Sequence, residues 1–407
     1  MRVCMAPVAK DPLIKMLADP ERTPIRGALP VVTVRPDDDP PYLDAVRRVE
    51  SDRVDLERRG RDHGTVVELL RPDLSPKLDT APMQACWKRA EPFVIRQAAP
   101  AADEITAMLP EGWAAGRDER ARWQRWVADQ ASEAVSFPQT FADPERDVGK
   151  AVCASRNAWV KLGALSTDEH DASRRMAFGV GEEIVDDDHP SAEQHAQVWT
   201  WACALVPALQ AALPEGLRKR LGGASGRPLA PSNPIVYWNR PNGGALFHHD
   251  ALPGYLPREG SASGAPPPSG QRGVVYVQGV GMTVWIALSI RDLASRCCEF
   301  MRDVVDGGAP WLFDSWVKEG VWQPLFFATR ELKPCLDALA RSDAGPLRPL
   351  VHGSLEFSGF LIDSGHAAFL RAGDAIALPN HGLDRTAMHS VYCGSDGPNI
   401  GFSIGLR

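Results

Sequence analysis

Residues 233–250 read Asn-Pro-Ile-Val-Tyr-Trp-Asn-Arg-Pro-Asn-Gly-Gly-Ala-Leu-Phe-His-His-Asp. An apolar run ending at Trp238, a Pro-Asn-Gly-Gly turn signal and a second apolar run predict two strands in quick succession. The second run ends in His248-His249-Asp250, the one H-x-D in the chain. Alternate residues of a strand share a face, so His248 and Asp250 project together and His249 turns away. One imidazole and one carboxylate on a strand supply two vertices of a metal triangle. A third ligand from another strand would complete a 2-His-1-carboxylate facial set with open coordination positions. The plainer reading of the same residues is a hydrogen-bonded His–Asp pair inside the core.

Outward from this stretch the texture is that of strands. Further β-type runs lie at 273–278, 282–290, 354–362, 374–378, 389–393 and 399–406, with Gly, Pro, Asn and Asp between them. Many short strands with turn signals predict a sandwich or barrel of the jelly-roll kind. Residues 292–340 interrupt it with a helical pattern whose packing face carries Trp311, Phe313, Trp316, Val317, Leu325 and Phe326. Residues 259–271 (Glu-Gly-Ser-Ala-Ser-Gly-Ala-Pro-Pro-Pro-Ser-Gly-Gln) form a polar low-complexity loop directly after the H-x-D, where a lid over a metal would belong.

Upstream, helical periodicity dominates from about residue 40 to 223. Trp123, Trp126, Val127, Ala131 and Ala134 recur at helical spacing among charged residues. Ser191-Ala192-Glu193-Gln194 has the form of a capping box before a second apolar face, in a helix expected to kink at Pro207 and stop near Pro214. Two β-type runs, 29–34 and 92–96, are the exceptions. The fold class expected is therefore α+β: a largely helical region, 1–225, packed on a β-rich region, 226–407, that carries the helical insertion.

The 407 residues carry 45 Lys+Arg against 52 Asp+Glu, a net charge of −7. That balance argues against nucleic-acid binding through phosphate neutralisation. The acidic triplets 37–39 and 186–188 suit solvated loops better than metal sites. Eight cysteines without a C-x-x-C point to neither a disulfide scaffold nor a zinc knuckle, and a reducing cytoplasm is the simplest home. The first twelve residues lack an apolar core of the exported kind, and no stretch approaches the ~18 apolar residues of a membrane span.

Downstream, Gly373-Asp374-Ala375-Ile376-Ala377-Leu378-Pro379 precedes His381 and then His389-Ser390-Val391. Either histidine could be the third ligand; His389 is preferred because it opens a strand. With Trp238, Gly243-Gly244 and His248-x-Asp250, with Gln278-Gly279-Val280-Gly281-Met282-Thr283-Val284-Trp285, and with Glu91-Pro92-Phe93-Val94-Ile95-Arg96, these motifs resemble the JmjC/cupin-like branch of the Fe(II)/2-oxoglutarate-dependent oxygenases over roughly residues 90–407. The resemblance implies a double-stranded β-helix core, with Fe(II) held by His248, Asp250 and His389. It implies 2-oxoglutarate as cosubstrate and O₂-dependent hydroxylation or desaturation of a small molecule, amino-acid derivative or peptide. Members of the family often dimerise, so a homodimer is the corresponding expectation.

The chain departs from the family at three places. Thr283 stands at the position of the family's 2-oxoglutarate-binding lysine, Ala245 where a hydroxyl often helps, and Pro379 lies further before His389 than is usual. Some cation must still meet a buried distal carboxylate. Arg407, with Ser403 on the same face of the last strand, is the leading candidate; Arg240, Arg272 and Arg385 are alternatives. Trp285, Trp238 and Phe247 could line the pocket. A cupin-type metalloenzyme that does not use 2-oxoglutarate and a non-catalytic binding protein on the same barrel stay open.

Overall fold

The computed structural model describes residues 81–95, 98–99, 119–138, 147–164, 173–181, 190–222, 228–240, 244–250, 271–341, 344–382, 385–394 and 399–407. The expected strand at 29–34, both acidic triplets and residues 259–270 of the expected lid lie outside them.

The protein is a mixed α and β structure with two antiparallel sheets. Before position 225 come α1 (Ala81–Arg89), β1 (Phe93–Ile95), α2 (Glu119–Gln130), β2 (Asp147–Cys153), β3 (Ala158–Ala164), β4 (Arg174–Val180), α3 (Ala192–Leu205), α4 (Ala208–Ala212) and α5 (Glu215–Leu221). After it come β5 (Pro231–Asn239), β6 (Gly244–His248), β7 (Gly273–Val280) and β8 (Met282–Ser289). A helical layer follows: α6 (Ile290–Val305), α7 (Pro310–Lys318), α8 (Trp322–Thr329), α9 (Leu332–Leu339), α10 (Arg348–Val351) and α11 (Leu355–Asp363). The chain ends in β9 (Ala367–Arg371), β10 (Ala375–Pro379), β11 (Ala387–Cys393) and β12 (Asn399–Leu406).

One sheet has eight strands in the order β1-β10-β7-β12-β5-β4-β3-β2, and the other four in the order β6-β11-β8-β9. Pairing of Arg174 with Trp238 and of Arg175 with Tyr237 carries the large sheet across the 225/226 boundary. Buried side chains from both sheets and from α1, α2, α3 and the 290–363 helices join in one apolar cluster. Among the described residues no helix is long and apolar enough to cross a membrane.

Several expected elements take the expected form for the expected reason. In α2, Trp123 and Val127 turn inward one helical turn apart. The capping box closes reciprocally: Gln194 N–H donates to Ser191 Oγ at 3.2 Å, and Ser191 N–H donates to Gln194 Oε1 at 2.7 Å. At Pro207 the helix breaks outright instead of kinking, because proline offers no N–H to continue the ladder, and two short helices follow it.

Other expectations are corrected. Residues expected as a strand at 354–362 form α11, in which Phe357, Ser358, Leu361 and Ile362 are buried at helical spacing and Ser354 Oγ accepts from Phe357 N–H at 3.1 Å. Strand β9 was not expected; four of its five residues are buried, so it lacks the two-residue alternation that marks a half-exposed strand. The meander β2–β3–β4 stands in the region expected to be largely helical. Gly149 and Gly179 hide it, since glycine weakens a strand pattern. Each leaves room for a flat-lying indole: a Cβ on Gly149 would sit 2.7 Å from the Trp123 ring, and one on Gly179 would strike Trp159.

Candidate metal centre

His248 ends β6 and His389 lies in β11, and the two are direct partners across the antiparallel pair. Their rings sit with centroids 4.2 Å apart, planes inclined by 54°. Asp250, two residues beyond His248, turns its carboxylate to both: Oδ1 lies 3.7 Å from His248 Nε2 and Oδ2 lies 3.6 Å from His389 Nε2. One donor atom from each of the three falls within 4.8 Å of the others. The strand pairing thus brings together two segments far apart in the chain, and the three residues expected as ligands converge.

The donor chemistry suits a divalent cation. His248 Nδ1 lies 2.6 Å from the carbonyl oxygen of Leu246. A carbonyl can only accept, so Nδ1 carries a proton, and Nε2 is the nitrogen turned toward Asp250. His389 is 3% exposed, and burial together with the neighbouring His248 pushes its pKa down to about 3, against the opposing charge of Asp250. A neutral imidazole is the form a metal binds. For metal–ligand bonds of about 2.1 Å at right angles the donor–donor edges are roughly 3.0 Å, so the three arms would close inward on an ion. His248 and Asp250 keep 36% and 35% of their side-chain surface exposed, which leaves the open side of the triangle accessible.

Behind His389 stands a buried polar chain. Trp285 stacks on the imidazole, centroids 5.4 Å apart and planes at 26°. Its Nε1–H donates to Thr283 Oγ1 at 2.9 Å, and Thr283 donates to Gln278 Oε1 at 2.6 Å. Tyr276 also donates to Gln278 Oε1, and Gln278 Nε2 donates to Asn399 Oδ1 at 3.0 Å. These side chains come from β7, β8 and β12, so the network ties the two sheets together behind the candidate ligands.

The triad opens on a cavity of about 410 Å³ between the sheets, with Phe247, Tyr237, Tyr276, Trp285, Val274 and Leu378 in its wall. Ala245 also lines it, without the hydroxyl that would help a ligand. Trp238 does not, because it neighbours Tyr237 in β5 and faces the other way.

Of the remaining expected residues, Ser403 lines the cavity and the others do not. Thr283 has no exposed surface and its hydroxyl is committed to Gln278 and Trp285. Arg407 is corrected as a cavity cation. Sharing a strand face with Ser403 fixes direction but not distance, and four residues of strand carry it about 13 Å further along. There its backbone pairs with Ala230, and its charge is near enough to His195 to oppose protonation of that imidazole. Arg240, Arg272 and Arg385 are also absent from the lining, and Arg385 donates to the Lys88 carbonyl at 2.6 Å. His381 is no third ligand: its Nε2 lies 2.5 Å from the Trp87 carbonyl, and its ring meets Trp87 edge-on.

Sequence reasoning missed the basic side chains of the lining: Arg175 of β4, Arg348 at the start of α10 and His352 just after it. The signal for Arg175 was the pair Arg174-Arg175 in a strand, where adjacent residues face opposite ways. For Arg348 and His352 it was their four-residue spacing in a helical stretch.

No protein-family model matches the chain, and no curated protein matches it. The functional reading accordingly stands on the geometry of this centre.

Proposed function

We propose that this chain is a mononuclear non-haem Fe(II) oxygenase that uses 2-oxoglutarate and O₂ to hydroxylate or desaturate a small molecule, amino-acid derivative or peptide. The observation that carries the reading is the convergence of His248, Asp250 and His389, with two imidazoles and a carboxylate facing one cavity. Strand order supports it further. From β5 to β12 the chain passes back and forth between the sheets, with β10-β7-β12-β5 in one and β6-β11-β8-β9 in the other. That is the traffic expected of a jelly roll of the double-stranded β-helix kind, with ligands inside one end.

When bound, ferrous iron would activate O₂, the oxidant, while 2-oxoglutarate would supply two electrons in being oxidised to succinate and CO₂. The rest falls to the protein's own residues. His248, Asp250 and His389 would hold the ion from one side of the cavity. A carboxylate at position 250, where a glycine or alanine would give no ligand, favours hydroxylation or desaturation over halide transfer. Trp285 holds the plane of His389, and the aromatic and aliphatic wall excludes water from the reacting groups.

A cupin-type metalloenzyme that does without 2-oxoglutarate is the second reading, favoured by the commitment of Thr283 to a neutral network. Product analysis separates the two. Fe(II)-loaded protein supplied with 2-oxoglutarate and O₂ should release succinate slowly even without its substrate, and Asp250→Ala should abolish this. Metal-loaded protein that leaves 2-oxoglutarate intact would exclude the first reading.

A further inference from the structure

Arg174 and Arg175 are adjacent in β4 and point to opposite sides of the sheet. Arg174 turns to α2, where it donates to both carboxylate oxygens of Glu119 at 2.8 and 3.2 Å. Arg175 turns to the cavity. Among the lining residues Asp250 is the one carboxylate, and a metal at the triad would take it. The occupied centre would therefore leave a guanidinium facing a partly enclosed space with no other acid among the described residues of the wall to answer it. An anionic ligand supplies that answer.

Register places this cation on the metal's side of the cavity. Arg175 pairs with Tyr237 of β5, Tyr237 with Gly401 of β12, and Gly401 with Gln278 of β7, the residue whose side chain holds Thr283. One row of the sheet thus runs from Arg175 to the network behind Trp285 and His389. The Tyr237 phenol lies within the field of both Arg175 and Asp250. The other guanidinium in the lining, Arg348, is on the exposed surface of the helical layer, where solvent weakens an ion pair.

We infer that Arg175 is the cation that meets the distal carboxylate of a dicarboxylic 2-oxo acid chelated at the His248–Asp250–His389 centre. The inference rests on the oxygenase reading above and assigns to a strand outside the β5–β12 barrel the task that Thr283 and Arg407 cannot perform.

The test compares 2-oxoglutarate with 2-oxobutyrate, which keeps the chelating 2-oxo acid but lacks the second carboxylate. Binding of each to the full-length, Mn(II)-loaded chain is measured by calorimetry without O₂. The wild type should prefer 2-oxoglutarate by about a hundredfold. Arg175→Gln should remove that preference while Mn(II) and 2-oxobutyrate affinities stay within about threefold, and Arg348→Gln should leave it in place. Arg175→Lys, which keeps the charge but not the forked donors, should retain part of it; should Arg175→Gln fail to hold Mn(II), this variant carries the comparison. Undiminished preference in the Arg175 variants, or its loss in Arg348→Gln, would overturn the assignment alone. A wild-type chain that holds Mn(II) but binds neither acid would overturn the oxygenase reading, and the Arg175 assignment with it.

Discussion

Trp285 covers one face of His389, its indole 5.4 Å away and inclined by 26°, while its Nε1–H is anchored on Thr283 Oγ1. His389, the second candidate ligand histidine, is therefore held by an aromatic plane that is itself held by a buried hydroxyl. Groups that orient a ligand ring typically contribute tenfold or more to metal affinity.

Thr283→Val keeps the shape and deletes that hydroxyl. The buried Trp285 N–H loses its acceptor, so stability should fall by about 1–3 kcal/mol and metal affinity by about tenfold. Urea denaturation and metal titration of the same variant measure both. Unchanged metal affinity would show that Trp285 packs against His389 without orienting it.

Gly244 begins β6 opposite Tyr392 of β11, and a Cβ there would strike the Val391 carbonyl. Gly244→Ala should push β6 away from β11 and cost about 1–3 kcal/mol. Because the same strand pair aligns His248 with His389, metal binding should weaken as well. A variant with lowered melting temperature but wild-type metal affinity would argue against that coupling.

The Arg174–Glu119 pair is nearly buried, with 12% and 9% of the side chains exposed. Glu119→Ala leaves a buried guanidinium uncompensated and should cost about 3 kcal/mol. Metal and 2-oxo acid affinities should not move, since this pair lies on the far face of β4 from Arg175. Differential scanning calorimetry beside a metal titration makes the comparison.

Two buried histidines away from the centre set an acid limit on stability. Burial, reinforced by Arg407, lowers the His195 pKa from 6.5 to about 4, and burial reinforced by Arg296 lowers that of His366 from 6.5 to about 3. The unfolded chain therefore binds more protons than the folded one below pH 6.5. Their contribution is fully present above that pH and is lost as pH falls toward 4 and 3, at on the order of 1 kcal/mol per pH unit for each. His366→Leu should flatten the acid limb of a stability–pH curve measured by chemical denaturation; an unchanged slope would contradict it.

The centre was legible because strand alternation is a local rule: His248 and Asp250 share a face by their spacing, and His389 opens a strand that a barrel can bring alongside. The cation was not legible. Alternation puts Arg407 on the same face of the last strand as Ser403, but it says nothing of how far along the strand a side chain sits. Arg175 stands in β4, whose strand pattern is weakened by Gly179, the glycine against which the Trp159 indole lies. Strand β9 and helix α11 went astray for a related reason, since a short apolar run fits either period and the partners that decide it are remote.

The most direct measurement is anaerobic titration of Fe(II) into the wild type, His248→Ala, His389→Ala and His381→Ala. The wild type and His381→Ala should each bind one equivalent, while His248→Ala and His389→Ala should lose stoichiometric binding and, with it, iron-dependent succinate release. Full binding in either ligand variant, or its loss in His381→Ala alone, would contradict the metal centre on which the account stands.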